Sequence, residues 1–268
     1  MTTAGDALRA GDIAGALAAA TAAVKAKPTD ADARWLMAEL LLINGEAERA
    51  DRMLDAAALH EPNPAVLEFR KLLRAEVLRN QVLREGREPK YQGGDATPAQ
   101  KAALQARMLL RLGDVAGSMA AAAEIETVRE RAPGRLENAD GSNSVHFDDL
   151  RDADDLLSAE FEVLTTAGDH LLVPVSRVRS LEFDAPRRTR DLIWRRCSID
   201  LKDGTEGVVY LPAIYVSPAP ETDGGLLLGR STEWTDPETG PVRGRGPRKL
   251  LAGEELVPFT SLSAVVFD

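Results

Sequence analysis

The sequence predicts an α+β fold, with repeated helices first and a mainly antiparallel β domain, a small barrel or a curled sheet, second. Three observations predict it. The amino-terminal half repeats at a spacing of 34 residues, the texture changes abruptly at Pro133, and short β-branched segments joined by tight turns follow. The resulting division is a helical domain over 1–132, a linker or loop over 133–147 and a β-rich domain over 148–268.

The repeat aligns Gly11-Asp12-Ile13, Ala16, Ala20, Ala23 and Pro28 with Gly45-Glu46-Ala47, Ala50, Leu54, Ala57 and Pro62. The spacing is the tetratricopeptide period, and the residue types suit it. Glycine closes the first helix of each pair, small residues let the second lie close, and proline stops it. The helix before Gly45 starts at an Asp30 cap and places Trp35, Leu36, Leu40 and Ile43 at helical spacing. Pro64 opens a long helix to about Arg84, with Val66, Leu67, Leu73, Val77 and Leu78 as its stripe. After a turn-rich stretch over Glu88–Thr97, a degenerate helical pair surrounds Gly113-Asp114-Val115.

Beyond Pro133, Gly134–Ser144 is polar and turn-forming, and Phe147–Ser158 reads as a short acidic helix. The strands expected are Glu160–Thr166, His170–Val175, Arg179–Phe183, Ser198–Leu201, Gly207–Leu211, Leu226–Leu228 and Val257–Phe267. Asp203-Gly204 is a good two-residue hairpin turn. Consecutive short strands imply an antiparallel sheet and not alternating β-α units.

Composition excludes several function classes. A net charge of −10 does not supply the positive face that nucleic acid or an anionic membrane surface requires. The single cysteine, Cys197, allows no intrachain disulfide and is expected to be a small core residue. No apolar stretch is long enough to span a bilayer and no basic segment precedes an apolar one, so a cytoplasmic location is expected.

The search for catalytic chemistry ends without a candidate. His60, His146 and His170 lie in separate segments without metal-ligand spacing, and each reads as a surface or boundary residue. No nucleophile elbow, Walker loop or dinucleotide fingerprint occurs. The run Asp148, Asp149, Asp152, Asp154 and Asp155 lacks the alternation and glycine of a calcium loop, and reads as a solvated acidic helix face. The loop Arg243-Gly-Arg-Gly-Pro-Arg-Lys249 is the strongest basic cluster; it could cradle a phosphate, meet an acidic partner or pair with the chain's own acidic surface. No catalytic residue, cofactor or metal is expected, and the chain is read as a non-enzyme.

Six runs in order carry a resemblance. They are Phe147-Asp-Asp-Leu-Arg-Asp-Ala-Asp-Asp155, Leu172-Val-Pro-Val175 leading to Arg179-Ser-Leu-Glu-Phe183, and Arg190-Asp-Leu-Ile-Trp-Arg195, followed by Val209-Tyr-Leu-Pro-Ala-Ile-Tyr215, Leu228-Gly-Arg-Ser-Thr-Glu-Trp234 and Val242-Arg-Gly-Arg-Gly246. With Leu73-Arg-Ala-Glu-Val77 in the helical half, the chain resembles the ImpE/TagJ family along nearly its whole length. The resemblance implies a cytoplasmic accessory protein of type VI secretion. It also implies a protein partner, the amino-terminal helix of the small sheath subunit, and through the sheath a link to a ClpV-type recycling ATPase. A scaffold for another secretion component, or a small-ligand or phosphate binder with its site between the halves, are the alternatives.

Tetratricopeptide helices present a concave face, which here would carry Asp32, Trp35, Glu39 and Leu42 to a partner helix, unless Trp35 is core. Trp194, Arg230, Trp234, Arg243 and Arg245 form a candidate second contact surface, again with Trp194 as a possible core residue.

Overall fold

The computed structural model describes residues 3–58, 63–142 and 144–268; Pro62 of the repeat and His60 lie outside them. The helices are α1 (Ala4–Ala10), α2 (Ile13–Ala26), α3 (Ala31–Ile43), α4 (Ala47–Ala58), α5 (Pro64–Asn80), α6 (Pro98–Arg111), α7 (Val115–Val128) and the single turn α8 (Gly224–Leu227). The first strands are β1 (Lys90–Tyr91), β2 (Gly134–Asn138), β3 (Val145–Phe147), β4 (Leu150–Asp152), β5 (Glu160–Thr165), β6 (His170–Pro174) and β7 (Val178–Phe183). The remainder are β8 (Trp194–Leu201), β9 (Glu206–Pro212), β10 (Glu233–Trp234), β11 (Gly244–Arg245), β12 (Lys249–Ala252), β13 (Glu255–Pro258) and β14 (Leu262–Phe267).

Local chemistry sets the helical half as the repeat predicts. Gly11 and Gly45 take φ of 81° and 76°, the left-handed conformation that ends α1 and α3 and that other residues adopt at a cost. Asp30 caps α3 by accepting the Ala33 N–H at 3.0 Å. Ala16, Ala20, Ala50 and Leu54 are buried between helices, whereas Ala23 is exposed. The helix opened by Pro64 runs through α5 into a π-helical turn at Gln81–Glu85. Its buried stripe is Val66, Phe69, Leu72 and Leu73; Leu67, expected on it, is 48% exposed. The degenerate pair forms α6 and α7, closely packed through Ala102, Ala103, Ala106, Ala121 and Ala122. Ser118, which replaces the repeat's alanine, is buried because its hydroxyl donates to the Ala106 carbonyl at 2.9 Å.

Nine strands form one sheet in the order β1-β6-β5-β9-β8-β7-β14-β2-β3, antiparallel except for the β1–β6 pair. The sheet is open and not a closed barrel. Its β8–β9 hairpin turns at Asp203-Gly204, with Gly204 at φ 86°. A three-stranded sheet, β13-β12-β4, packs with Leu150, Leu250 and Val257 against the face bearing Phe161, Val163, Cys197 and Val265. The opposite face contributes Leu164, Trp194 and Tyr210 to the core of α1–α5.

Four local expectations fail. The segment 134–147, read as linker, supplies β2 and β3 of the large sheet. Gly134 lies so close to β14 that a Cβ there would sit 2.2 Å from the Val266 carbonyl oxygen, so this glycine serves close packing and not a turn. The acidic helix over 147–158 is β4 and turns, because Asp152 accepts the Asp154 N–H and Asp154 accepts that of Leu156, bonds that compete with helix. Leu226–Leu228 is helical from Asp223, whose carboxylate caps Gly225 and Leu226. The final strand is broken at Phe259–Ser261 into β13 and β14.

The halves are joined by buried charge. Glu162 on β5 is fully buried and accepts Arg79 Nε of α5 at 2.8 Å and Arg248 Nη2. Arg79 also donates to Glu76 at 3.0 Å and to the Ile214 carbonyl at 2.8 Å, and Glu76 accepts the Trp194 indole N–H at 2.9 Å. A parallel link pairs Glu160 with Arg107 and Gln100 of α6. Burial alone would raise Glu162; Arg79 and Arg248 instead hold it well below the usual carboxylate range.

Removing one partner of a buried pair strands the other, so Glu162→Gln should cost about 3–5 kcal/mol in urea unfolding, against at most about 1 kcal/mol if the pair behaved as an exposed one. Cys197 is fully buried and burial pushes its thiol up to about 12. It should resist Ellman's reagent in the native protein and react on unfolding; fast native reaction would refute its placement under the small sheet.

Candidate functional site

The acidic run and the basic loop, far apart in sequence, fold onto each other. Asp154 accepts the Gly244 N–H at 3.0 Å, and Asp155 accepts that of Val242 at 2.8 Å. Asp152 lies 3.1 Å from Arg248 Nη1 and accepts the Tyr215 hydroxyl at 2.7 Å. Asp152 and Asp154 are therefore buried, not a solvated face. Arg245 is held by Glu221 at 2.7 Å and Glu233 at 2.9 Å. Of the three readings left open for this loop, pairing with the chain's own carboxylates accounts for Arg245 and Arg248. Arg243 remains half-buried, with its Nη2 3.5 Å from the Val216 carbonyl.

The concave face expected to be free is filled by the chain itself. Asp32 is exposed, but Trp35 is half-buried and packs on Phe69 at 5.1 Å between ring centroids. The guanidinium groups of Arg188 and Arg190, from the segment before β8, stack on Trp35 at 5.1 and 5.4 Å. Glu39 accepts the Trp35 indole N–H at 2.9 Å and is buried, and so is Leu42. Glu39 and Leu42 thus pack within the chain and do not form an open face.

The second expected surface is also dispersed. Trp194 is buried between sheet and helices, edge-on to Phe69 at 6.0 Å, so its core reading holds. Trp234 is half-buried against Tyr215, 5.9 Å between centroids. Arg230 is exposed and donates to the Leu8 carbonyl at 2.7 Å, closing the end of α1. His170, expected near the surface, is buried with Nε2 3.4 Å from Glu162, while His146 is exposed. Among the described residues, no group of three or more His, Cys, Asp or Glu side chains is arranged to hold a metal.

Three of the concavities among the described residues adjoin these elements. A cleft of about 720 Å³ lies between the α1–α2 and α3–α4 turns and Ile193, Ile214 and Tyr215. A cavity of about 320 Å³ is walled by Arg84, Arg107, Arg111, Arg243 and Asp154. On the outer side of the repeats, a groove of about 440 Å³ runs across α2, α3 and α4, floored by Val24, Met37, Leu41 and Met53 and rimmed by Arg34, Arg49 and Arg52. Sequence reasoning singled out Arg243 but missed the other arginines of these walls, although Arg107 and Arg111 are four apart on one helix and Arg49 and Arg52 three apart on another.

Comparison with known proteins follows these contours. A family model described as ImpE protein matches residues 144–266, and a tetratricopeptide repeat model matches residues 7–73. The chain is 32% identical over 237 residues to the type VI secretion system accessory component TagJ of Pseudomonas aeruginosa, covering 85% of this chain and 79% of that protein. It is similar to the crystal structure of protein VPA1032 from Vibrio parahaemolyticus, with a TM-score of 0.88 and 27% identity over 99% of this chain and 97% of that one. Among the described residues no helix is long and apolar enough to cross a membrane.

Asp152 sets a pH dependence. Burial, more than Arg248 withdraws, lifts its pKa from 3.8 to about 6. The raised value means that its contribution is fully present below pH 3.8 and is lost as pH rises through about 6. Asp152→Asn does not titrate, so between pH 4 and 7 the wild type should lose stability relative to this variant, by on the order of a few kcal/mol. Parallel stability profiles in denaturant titrations would refute the assignment.

Proposed function

We propose that this chain, which belongs to the ImpE/TagJ family of type VI secretion accessory components, works as a non-enzymatic adaptor that holds an amphipathic helix of another secretion protein in the outer groove of its tetratricopeptide-like repeats. The observation that carries this reading is the groove itself. Its floor is apolar and its rim cationic, in a chain whose net charge is −10. Helix-in-groove recognition needs such a floor for alternate turns of the guest, with flanking charges to set its register. A guest with one apolar stripe bordered by Asp and Glu fits Val24, Met37, Leu41 and Met53 below and Arg34, Arg49 and Arg52 beside it.

The occupied concave face supports the outer location. The array's inner surface already contacts Arg188, Arg190, Trp194 and Tyr210 of the carboxy-terminal half, so a guest there would have to displace the chain's own core. The guest named by the family resemblance is the amino-terminal helix of the small sheath subunit. Through it the chain would act in sheath assembly or in recycling by a ClpV-type ATPase. The accessory role named for the relative TagJ supports the non-enzymatic part of the reading.

The test is calorimetric titration of the full chain with a peptide spanning that sheath helix. One-to-one saturable binding is expected, weakened at least about tenfold (roughly 1.4 kcal/mol) in an Arg49→Glu, Arg52→Glu variant that melts as the wild type does. Both side chains are exposed, so the variant should fold. Equal affinity of wild type and variant would remove the groove from the proposal, and no binding of the wild type would remove this partner.

A further inference from the structure

We infer that the arginine-walled cavity between α6, the π-helical turn and the Arg243 loop is a binding site for a small organic anion, a carboxylate or phosphate ester carried on an apolar body. The cavity is distinct from the outer groove and depends on none of the residues that form it.

The charge balance of the wall is the first argument. Arg84, Arg107, Arg111 and Arg243 line the cavity, against the single carboxylate of Asp154. That carboxylate is already committed, since its two oxygens accept the main-chain N–H groups of Leu156 at 2.9 Å and Gly244 at 3.0 Å. Arg107 has one external counter-charge, Glu160, and both its contacts use Nη2. Such a concentration of guanidinium groups in a strongly acidic protein is costly unless an anion completes it.

Unused donors are the second argument. Arg107 is only 5% exposed, yet its Nε and Nη1 have no acceptor among the described residues, and neither does Arg243 Nε. Buried donors are normally matched, because each unmatched one costs the full price of desolvation. Arg84 donates only Nε, to the Ser217 carbonyl at 2.9 Å. Burial, together with the like charges of Arg79 and Arg243, holds Arg84 below the usual arginine value, although Glu76 and Glu85 oppose this.

The backbone is shaped to deliver these side chains. The π-helical turn at Gln81–Glu85 places Arg84 on the wall, an insertion of the kind that helices carry at functional sites. The turn ends at Gly86, at φ 82°, where a Cβ would stand 2.7 Å from Arg111 Nη2; the glycine makes room for that guanidinium. The rest of the wall includes Leu83, Leu110, Leu157, Val216 and Pro218. Planar guanidinium groups recognise carboxylate and phosphate oxygens, and the apolar lining selects for a hydrophobic body beside the charge. A volume of about 320 Å³ accommodates a small molecule of that kind.

The experiment uses the full chain with phenyl phosphate and benzoate as probes, in thermal-shift and calorimetric titrations at ionic strength fixed with sodium chloride. At least one probe should bind saturably at one site and raise the melting temperature, and the stronger of the two identifies the oxyanion. Arg84→Gln and Arg111→Gln should each weaken that probe at least tenfold. The unliganded Arg84→Gln protein should melt no lower than wild type, because the substitution removes repulsion with Arg79 and Arg243. Arg84 and Arg111 are both exposed, so neither variant introduces a buried change. Neither probe exceeding chloride, or both variants binding as the wild type does, would overturn the inference.

Discussion

Everything in this structure depends on one buried carboxylate. Glu162 sits inside the large sheet with no exposure, and such a group ionises there only if cations come to it. Two do so from different parts of the chain, Arg79 from the last turns of α5 and Arg248 from the loop before β12. Each brings a further acid and aromatic residue with it. Arg79 carries Glu76, which fixes the Trp194 indole, and Arg248 carries Asp152, which fixes the Tyr215 hydroxyl. The network spans helices, sheet and loop, so its geometry can be satisfied only when all three are in place.

That constraint accounts for the packing of the repeats' concave face against the carboxy-terminal half. The face is consumed in the chain's own assembly, with Phe69, Trp35 and the stacked Arg188 and Arg190 completing what Glu162 and Arg79 begin. Among the described residues, the same assembly leaves a groove across α2, α3 and α4 and a wall of arginines where the end of α6 meets the Arg243 loop. Helical repeats and open sheet are therefore joined through one continuous buried network. The buried charges cost desolvation, and apolar residues of similar volume could have packed there; what the charges specify is one relative placement of helices and sheet.

Part of this was legible in the chain. The repeat at 34 residues located α1–α4, because glycine at the left-handed cap and alanine at the crossing are demanded by local geometry whatever lies outside. Short β-branched segments located β5, β6, β7 and β9, because their side chains favour extended backbone wherever the segment lies. The buried stripe of α5 held a further signal: Glu76 and Arg79 lie three apart among Phe69, Leu72 and Leu73, a charged pair on an apolar face. The candidate contact residues were less legible. Trp35 and Trp194 are apolar residues that a partner or a core would use equally well, and only the position of the other half decides between them.

The sequence by itself determined the fold class, the repeat, the family and the overall charge, since these rest on spacing and composition within short windows. Tertiary structure alone decided that Asp152 and Asp154 belong with Arg248 and Gly244, and that Gly134–Asn138 and Val145–Phe147 are strands of the large sheet. The reason is that a charge or an indole has no intrinsic inside or outside. Its role is set by what lies across from it, and for Asp154 that neighbour is ninety residues along the chain.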